Sequence, residues 1–213
     1  IRISGPAAFD AASSFLSPAP RGLHAAARLL SVKDGSALVD RAVVVFYRGP
    51  ASYTGEDTVE ISCHGSPYII RTILNLAIKS GARPAEPGEF TLRAFLNRKM
   101  DLAQAEAVGE LIAASSAGAH RAAITQAEGG LSAEVRGIRT ALVGLLAEIE
   151  ARLDDSYEEV PALEAGSFSR LAAAARKKAL SLASGFEAGR GIREGVKVVI
   201  TGAPNSGKSS LLN

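Results

Sequence analysis

The chain has 213 residues, 47% of them hydrophobic and 22% charged. A chain of this size removes roughly 70% of its unfolded surface from water, which excludes wholesale disorder and predicts one large or two modest domains. Twenty-four Lys and Arg against 22 Asp and Glu leave a net charge of +2, too even for general electrostatic capture of nucleic acid or of an acidic membrane face, so an RNA partner must be met locally.

One cysteine, Cys63, forms neither an internal disulfide nor a multi-cysteine zinc site, which predicts a reduced, intracellular chain. No apolar run approaches the roughly 20 residues of a membrane span and no signal peptide opens the chain, so a cytoplasmic protein with no membrane partner is expected. The only methionine is Met100, and the chain opens directly on the apolar stretch Ile1 to Ile3, from which residues upstream are expected.

The first hundred residues alternate short apolar runs with turn signals, the texture of a mixed α/β domain. Asp34-Gly35 lies between Leu29–Val32 and Ala37–Val39 and predicts a tight hairpin, with Val43–Tyr47 as a further strand. Thr58 to His64 alternates, placing Val59, Ile61 and Cys63 on a core face and Glu60, Ser62 and His64 on a polar one. Ser66 then offers a hydroxyl cap and Pro67 a preset first turn to a helix through Ile69, Ile70, Ile73, Leu74 and Leu76, stopped by Gly81.

From Asp101 the texture turns alanine-rich and helical, opening on a capping pair with Gln104 three residues on. Leu131, Val135, Ile138, Leu142, Leu145 and Ile149 recur at alternating four and three, the seam of a helix packed lengthwise on another, and Leu171–Leu182 predicts a second, weaker helix. Asp154–Glu164, acidic and proline-bearing, reads as a connection between them. Val196, Val198, Val199 and Ile200 suit a short buried parallel strand.

That strand leads into Gly202-Ala203-Pro204-Asn205-Ser206-Gly207-Lys208-Ser209, which matches G-x-x-x-x-G-K-[ST], with Ser210-Leu211-Leu212 beginning a helix. Glycines let backbone N–H groups wrap a polyphosphate, Lys208 adds positive charge at the outer phosphates, and the Ser209 hydroxyl suits Mg²⁺. The motif alone does not choose between GTP and ATP. A complete P-loop domain needs on the order of a hundred further residues, and only four follow Ser209, so this polypeptide by itself is expected not to hydrolyse nucleotide.

Five further segments carry a resemblance: Ser52-Tyr53-Thr54-Gly55-Glu56-Asp57, Glu60 through Gly65, Pro87-Gly88-Glu89-Phe90-Thr91, Arg93-Ala94-Phe95-Leu96-Asn97, and Lys99 through Ala107. Together with Gly191-Ile192-Arg193-Glu194-Gly195 ahead of the P-loop, they resemble the MnmE (TrmE) family of tRNA-modification GTPases nearly end to end. The resemblance implies an α/β folate-binding and dimerisation domain with a mixed sheet (1–98), an all-α central helical domain (99–194) and the start of an inserted P-loop GTPase domain (195–213). It implies GTP, Mg²⁺, K⁺ and a folate such as 5-formyl-tetrahydrofolate as ligands. The partners it implies are a second copy bound through the N-terminal domain, an FAD-dependent enzyme, MnmG, and tRNA, whose wobble uridine is modified.

Residue by residue, the family's folate contacts match Arg2, Glu60 and Lys99; a pterin edge presents two N–H donors that a carboxylate such as Glu60 accepts as a pair. Its nucleotide contacts match Asn205, Ser206, Gly207, Lys208, Ser209 and Ser210, with Asn205 also its potassium ligand and Ser209 its Mg²⁺ ligand. No catalytic residue is assigned. The family's C-terminal cysteine motif lies outside this chain and Cys63 does not match it. Asp155-Ser156-Tyr157-Glu158-Glu159 stands where the family usually reads Asp-Phe-Pro-Glu-Glu.

Set beside this are blander readings: Cys63 as a small buried hydrophobe, Glu56, Asp57 and Glu60 as a solvated rim rather than a metal cluster, and Arg190, Arg193 and Lys197 as a solvated face rather than a tRNA contact. Two other functions stay open: a folate-dependent one-carbon transferase with a regulatory P-loop, and a non-catalytic dimerisation module.

Overall fold

The computed structural model describes residues 1–18, 24–153, 165–194, 199–204 and 206–212. They divide into two compact units, Ile1–Val108 and Gly109–Asn213. Among the described residues no helix is long and apolar enough to cross a membrane.

The first unit runs β1 (Arg2–Ser4), α1 (Ala8–Ser13), β2 (Leu16–Ser17), β3 (Ala27–Asp34), β4 (Ala37–Tyr47), β5 (Thr58–Ser62), α2 (Pro67–Lys79) and α3 (Glu89–Leu96). Its five strands lie in the order β1-β5-β4-β3-β2. The expected combination of a sheet-and-helix unit followed by helices is found, and all four pairings of the sheet are antiparallel. Gly35, at φ +59°, makes the predicted turn between Asp34 and Ala37, which pair directly. Val43–Tyr47 is the second half of β4 rather than a separate strand, because no residue between Ala37 and Tyr47 breaks the extended run.

Alternation sorts these strands. Ala42, Val44 and Phe46 point into the core with Val32, Val59 and Ile61, while Val43 on the other face is exposed. Helix α2 closes this face with Ile73, Leu76 and Ala77, leaving Ile70 and Leu74 partly in solvent. The Phe9 ring meets Phe46 edge-on at 5.5 Å.

Pro67 opens α2 as predicted, but Ser66 makes no side-chain cap; its hydroxyl is not turned back to the first free N–H groups. At the other end Gly81, at φ +95°, completes a Schellman turn: its N–H donates to Ile78 O and that of Ala82 to Ala77 O. The same turn ends α3, with Arg98 at φ +57° in the position glycine usually takes, the N–H of Arg98 on Phe95 O and that of Lys99 on Ala94 O.

Helix α4 (Leu102–Ala113) starts on the predicted capping box, with Gln104 N–H donating to Asp101 Oδ1 and Asp101 N–H to Gln104 Oε1, both at 3.0 Å. The second unit contains α5 (Ala117–Ala127), α6 (Gly130–Leu153), α7 (Ala165–Glu194) and α8 (Lys208–Leu212). Ser116 Oγ caps α5 by accepting from Ala119 N–H. Helices α6 and α7 pack together, and Lys178 reaches Glu134 at 2.7 Å.

Of the predicted seam on α6, Leu145 is buried and Ile138 and Ile149 are half-buried, whereas Leu131, Val135 and Leu142 are exposed. Helix α7 is much longer than Leu171–Leu182 because its alanines carry the helix where apolar periodicity is faint. The predicted connection Asp154–Glu164 lies outside the described residues. So does most of the predicted strand before the P-loop; its described end, Val199 and Ile200, is not in a strand, and Val199 is exposed with no paired neighbour to cover it.

Candidate functional site

Strand pairing builds the first candidate site. In the β1–β5 register Arg2 stands directly opposite Glu60, so two side chains 58 positions apart meet on one face. Arg2 Nε donates to Glu60 Oε1 at 2.8 Å and its Nη2 lies 2.6 Å from the same oxygen. Both residues are about one-third exposed, and an ion pair in that setting contributes at most about 1 kcal/mol. The pair orients groups more than it stabilises the fold.

Because both Arg2 hydrogens fall on Oε1, that oxygen's lone pairs are occupied. Glu60 Oε2 and Arg2 Nη1 have no protein partner among the described residues. The sequence reading has both Glu60 oxygens accept from a ligand; the geometry instead leaves one free acceptor, Oε2, and a free cationic donor, Arg2 Nη1, on the side of the guanidinium away from that carboxylate. The Arg2 guanidinium also lies over two rings, 4.9 Å from the Tyr53 centroid and 5.3 Å from that of Phe90. Tyr53 is itself held, its hydroxyl 3.0 Å from Thr91 Oγ1.

Lys99, the third expected contact, serves the loop that carries Tyr53. Its Nζ donates to Pro50 O at 2.9 Å, and its stem crosses Gly55 so closely that a Cβ there would meet Lys99 Cγ at 3.2 Å and Asn97 Cβ at 3.1 Å. Gly55 has φ +81° as well, so any side chain there would be both strained and crowded. Asn97 Nδ2 donates to Thr54 O at 2.7 Å. The structure thus joins Arg2 to Glu60 directly and ties Lys99 to the adjoining loop.

A run of charges unforeseen from sequence surrounds these groups. Glu89, the first residue of α3, accepts two bonds from Arg83 (2.6 and 2.9 Å), one from the Glu86 N–H (2.8 Å) and two from Arg93 (2.8 and 3.0 Å). Arg83, then the Glu86 amide, then Arg93 hold the Glu89 carboxyl down at about 2, and both arginines are raised in turn. Arg93 Nη1 continues to Glu56 Oε2 at 3.0 Å, which also accepts from Ser4 Oγ at 3.1 Å. Ser4 Oγ lies 2.6 Å from the fully buried Thr54 hydroxyl. The one advance signal was the Glu–Arg spacing of four on α3.

A cleft of about 590 Å³ runs beside β1, walled by Ile1, Ile3, Ala8, Leu74 and Ile78 and ending at Arg2, Arg83, Glu89, Phe90 and Arg93. It shares Arg2 with the ion pair, but Glu60 and Lys99 do not line it.

Cys63 packs half-buried against the core, just past the end of β5. Its neighbour His64 turns away to Asp40, Nδ1 to Oδ1 2.7 Å, so the two form no dyad. Burial pushes the Asp40 carboxyl up, but the His64 amide, the His64 ring and the Arg41 amide outweigh it and hold it below its ordinary value. No cluster of three or more metal-ligating side chains occurs among the described residues, and Glu56 and Glu60 are tied to arginines instead.

The P-loop is the second candidate site. Gly207 sits at φ +82°, a conformation that favours glycine, and a Cβ on Gly202 would come within 2.9 Å of Ser206 Oγ, which would have to rotate aside. Lys208 Nζ donates to Gly202 O (3.0 Å) and Ala203 O (2.6 Å), and Ser210 N–H donates to Gly207 O (3.1 Å). Lys208, Ser209 and Ser210 open the five-residue α8. Asn205, expected to contact nucleotide and potassium, lies outside the described residues.

Comparison with known proteins covers both regions of the chain. The family model described as the GTP-binding protein TrmE N-terminus matches residues 1–99, and that of the MnmE helical domain matches 102–209. Similar proteins named tRNA modification GTPase MnmE occur in Bacteroides fragilis (44% identical over 224 aligned residues), Bacteroides thetaiotaomicron (43% over 224) and Nitrosomonas eutropha (42% over 214). Each alignment covers 100% of this chain and 47% of the relative, so the chain spans about half the length of the relatives it matches. A family model that takes in the helical domain and reaches through the P-loop to Ser209, joined to one for the domain that carries Arg2 and Glu60, makes this chain a member of the MnmE (TrmE) family.

Proposed function

We propose that the complete protein binds and hydrolyses GTP and, with an FAD-dependent partner of the MnmG kind and a tetrahydrofolate one-carbon donor, modifies the wobble uridine of certain tRNAs. The observation that carries this reading is the loop Gly202–Ser209, with Gly207 in a left-handed turn and a lysine turned onto the loop's own carbonyls, in a chain of this family. GTP fits that loop: backbone N–H groups and Lys208 would face its phosphates, Ser206, Gly207 and Ser210 would line them, and Ser209 would hold Mg²⁺. Asn205 is the proposed K⁺ ligand. Bound GTP supplies a phosphoanhydride whose cleavage drives a conformational cycle.

The folate reading rests on Arg2 and Glu60. Oε2 suits a heterocycle N–H donor and the free Arg2 Nη1 suits a carbonyl or anionic oxygen of the same ligand, as a pterin-bearing molecule offers. Lys99 is proposed to meet the same ligand's anionic or carbonyl oxygens from the adjoining loop. The first unit is the proposed dimerisation domain.

Isothermal calorimetry on the intact polypeptide tests the central claim. GTP should bind in Mg²⁺ and be preferred to ATP, with the preference growing in K⁺. Lys208→Ala should weaken binding about a hundredfold, the scale of a lost charge-assisted contact to phosphate. Equal binding of GTP by wild type and variant would sink the reading.

A further inference from the structure

Three features meet at Arg2: an ion pair with Glu60, the Tyr53 ring and the Phe90 ring. An exposed arginine ordinarily keeps much of its rotamer freedom, and ordering one costs up to about 2 kcal/mol. Here the rings come from two separate segments, the loop after β4 and helix α3, and each must be fixed before its ring can fix Arg2.

The carboxylate of Glu89 fastens both. On one side it binds Arg83 and the Glu86 amide, setting where α3 begins and hence where the next residue, Phe90, projects. On the other it binds Arg93, which bridges to Glu56 in the loop that holds Tyr53. Tyr53 and Thr91 then join loop to helix at the far side of the same junction.

We propose that Glu89 is a positioning residue: through Phe90, and through Arg93 and Glu56 to Tyr53, it holds the Arg2 guanidinium against Glu60 with Nη1 and Oε2 presented to a ligand. As a claim about the ligand it rests on the folate reading; as a claim about Arg2 it does not. The role goes beyond support of α3, because the same carboxylate also reaches the Tyr53 loop through Arg93 and Glu56, so that both rings over Arg2 depend on it.

Side-chain NMR of the Arg2 Nε–Hε group in the 213-residue chain tests this without any ligand. In the wild type the Hε signal should be shifted upfield by the two rings and slow to exchange. In Glu89→Gln, with the amide spectrum of the sheet preserved, the shift should collapse and exchange should rise about tenfold. Phe90→Leu, which leaves the charges intact, should do the same, and Phe90→Tyr should restore the wild-type signal.

Titration with 5-formyl-tetrahydrofolate supplies the second arm. Glu89→Gln should weaken binding about tenfold in the wild type and leave it unchanged in an Arg2→Lys background, because its effect passes through Arg2. An unchanged Arg2 signal in Glu89→Gln, or equal losses in both backgrounds, overturns the proposal. No folate binding by the wild type, with Arg2 responding as described, removes the folate reading and leaves the positioning role standing.

Discussion

Arg98 adopts φ +57°, a conformation that a residue with a Cβ enters at a cost of roughly 1 kcal/mol, and the turn it completes delivers Lys99 to Pro50 and Asn97 to Thr54. Arg98→Gly should therefore keep both contacts and raise stability by up to about 1 kcal/mol, read as a higher thermal midpoint. Glu89 gives a prediction of opposite character. Its carboxyl is held at about 2 against an ordinary 4.5, so its contribution is complete above 4.5 and is lost as pH falls toward 2. The difference in midpoint between wild type and Glu89→Gln should stay constant from neutral pH down to 4.5 and close below it; a difference that grows in acid would contradict the assignment. Glu89 was visible in the sequence only as part of a motif, and Arg98 fell between two of them. Beyond the spacing of four to Arg93, nothing in a linear order announces that Glu89 will also gather Arg83 and an amide, since that depends on where a neighbouring turn ends.

At the scale of elements, legibility followed the strength of the local code. The Gly35 hairpin, the Pro67 start, the Gly81 stop and the Asp101–Gln104 box each use one or two residues whose backbone or hydrogen-bonding chemistry allows little else, and each stands where the sequence puts it. Ser66 failed as a side-chain cap because a hydroxyl at that position is an option, not a requirement. The α6 seam was legible as a period but not as burial: a spacing of three and four marks one face of a helix, and how much of that face is covered depends on the partner. Leu145 is the seam residue that is fully covered. Leu145→Ala should cost about 2–5 kcal/mol of the helical unit's stability, and hydrogen exchange should show protection falling along α6 and α7, while Leu142→Ala should cost much less.

The whole molecule divides into two compact units. The main cluster, from Ile3 to Ala77, lies within the first, so Val32 and Val44 amides should keep their protection in Leu145→Ala. The change from strand texture to alanine-rich helix was legible because each texture reports the period of its own buried face. The Arg2–Glu60 site was readable only through family resemblance, for Glu alone in a strand is ordinarily a surface residue. The order in which the chain is made bears on that site too. The β3–β4 hairpin pairs neighbours in sequence and can close early, whereas β1 waits for β5 and the charges around Ser4 and Glu56 wait for Arg93. A ribosome releasing this protein therefore delivers the hairpin scaffold well before the Arg2 surroundings are complete, and a nascent chain halted short of α3 would have Glu60 and Tyr53 available to Arg2 but neither the Phe90 ring over it nor Arg93 on Glu56.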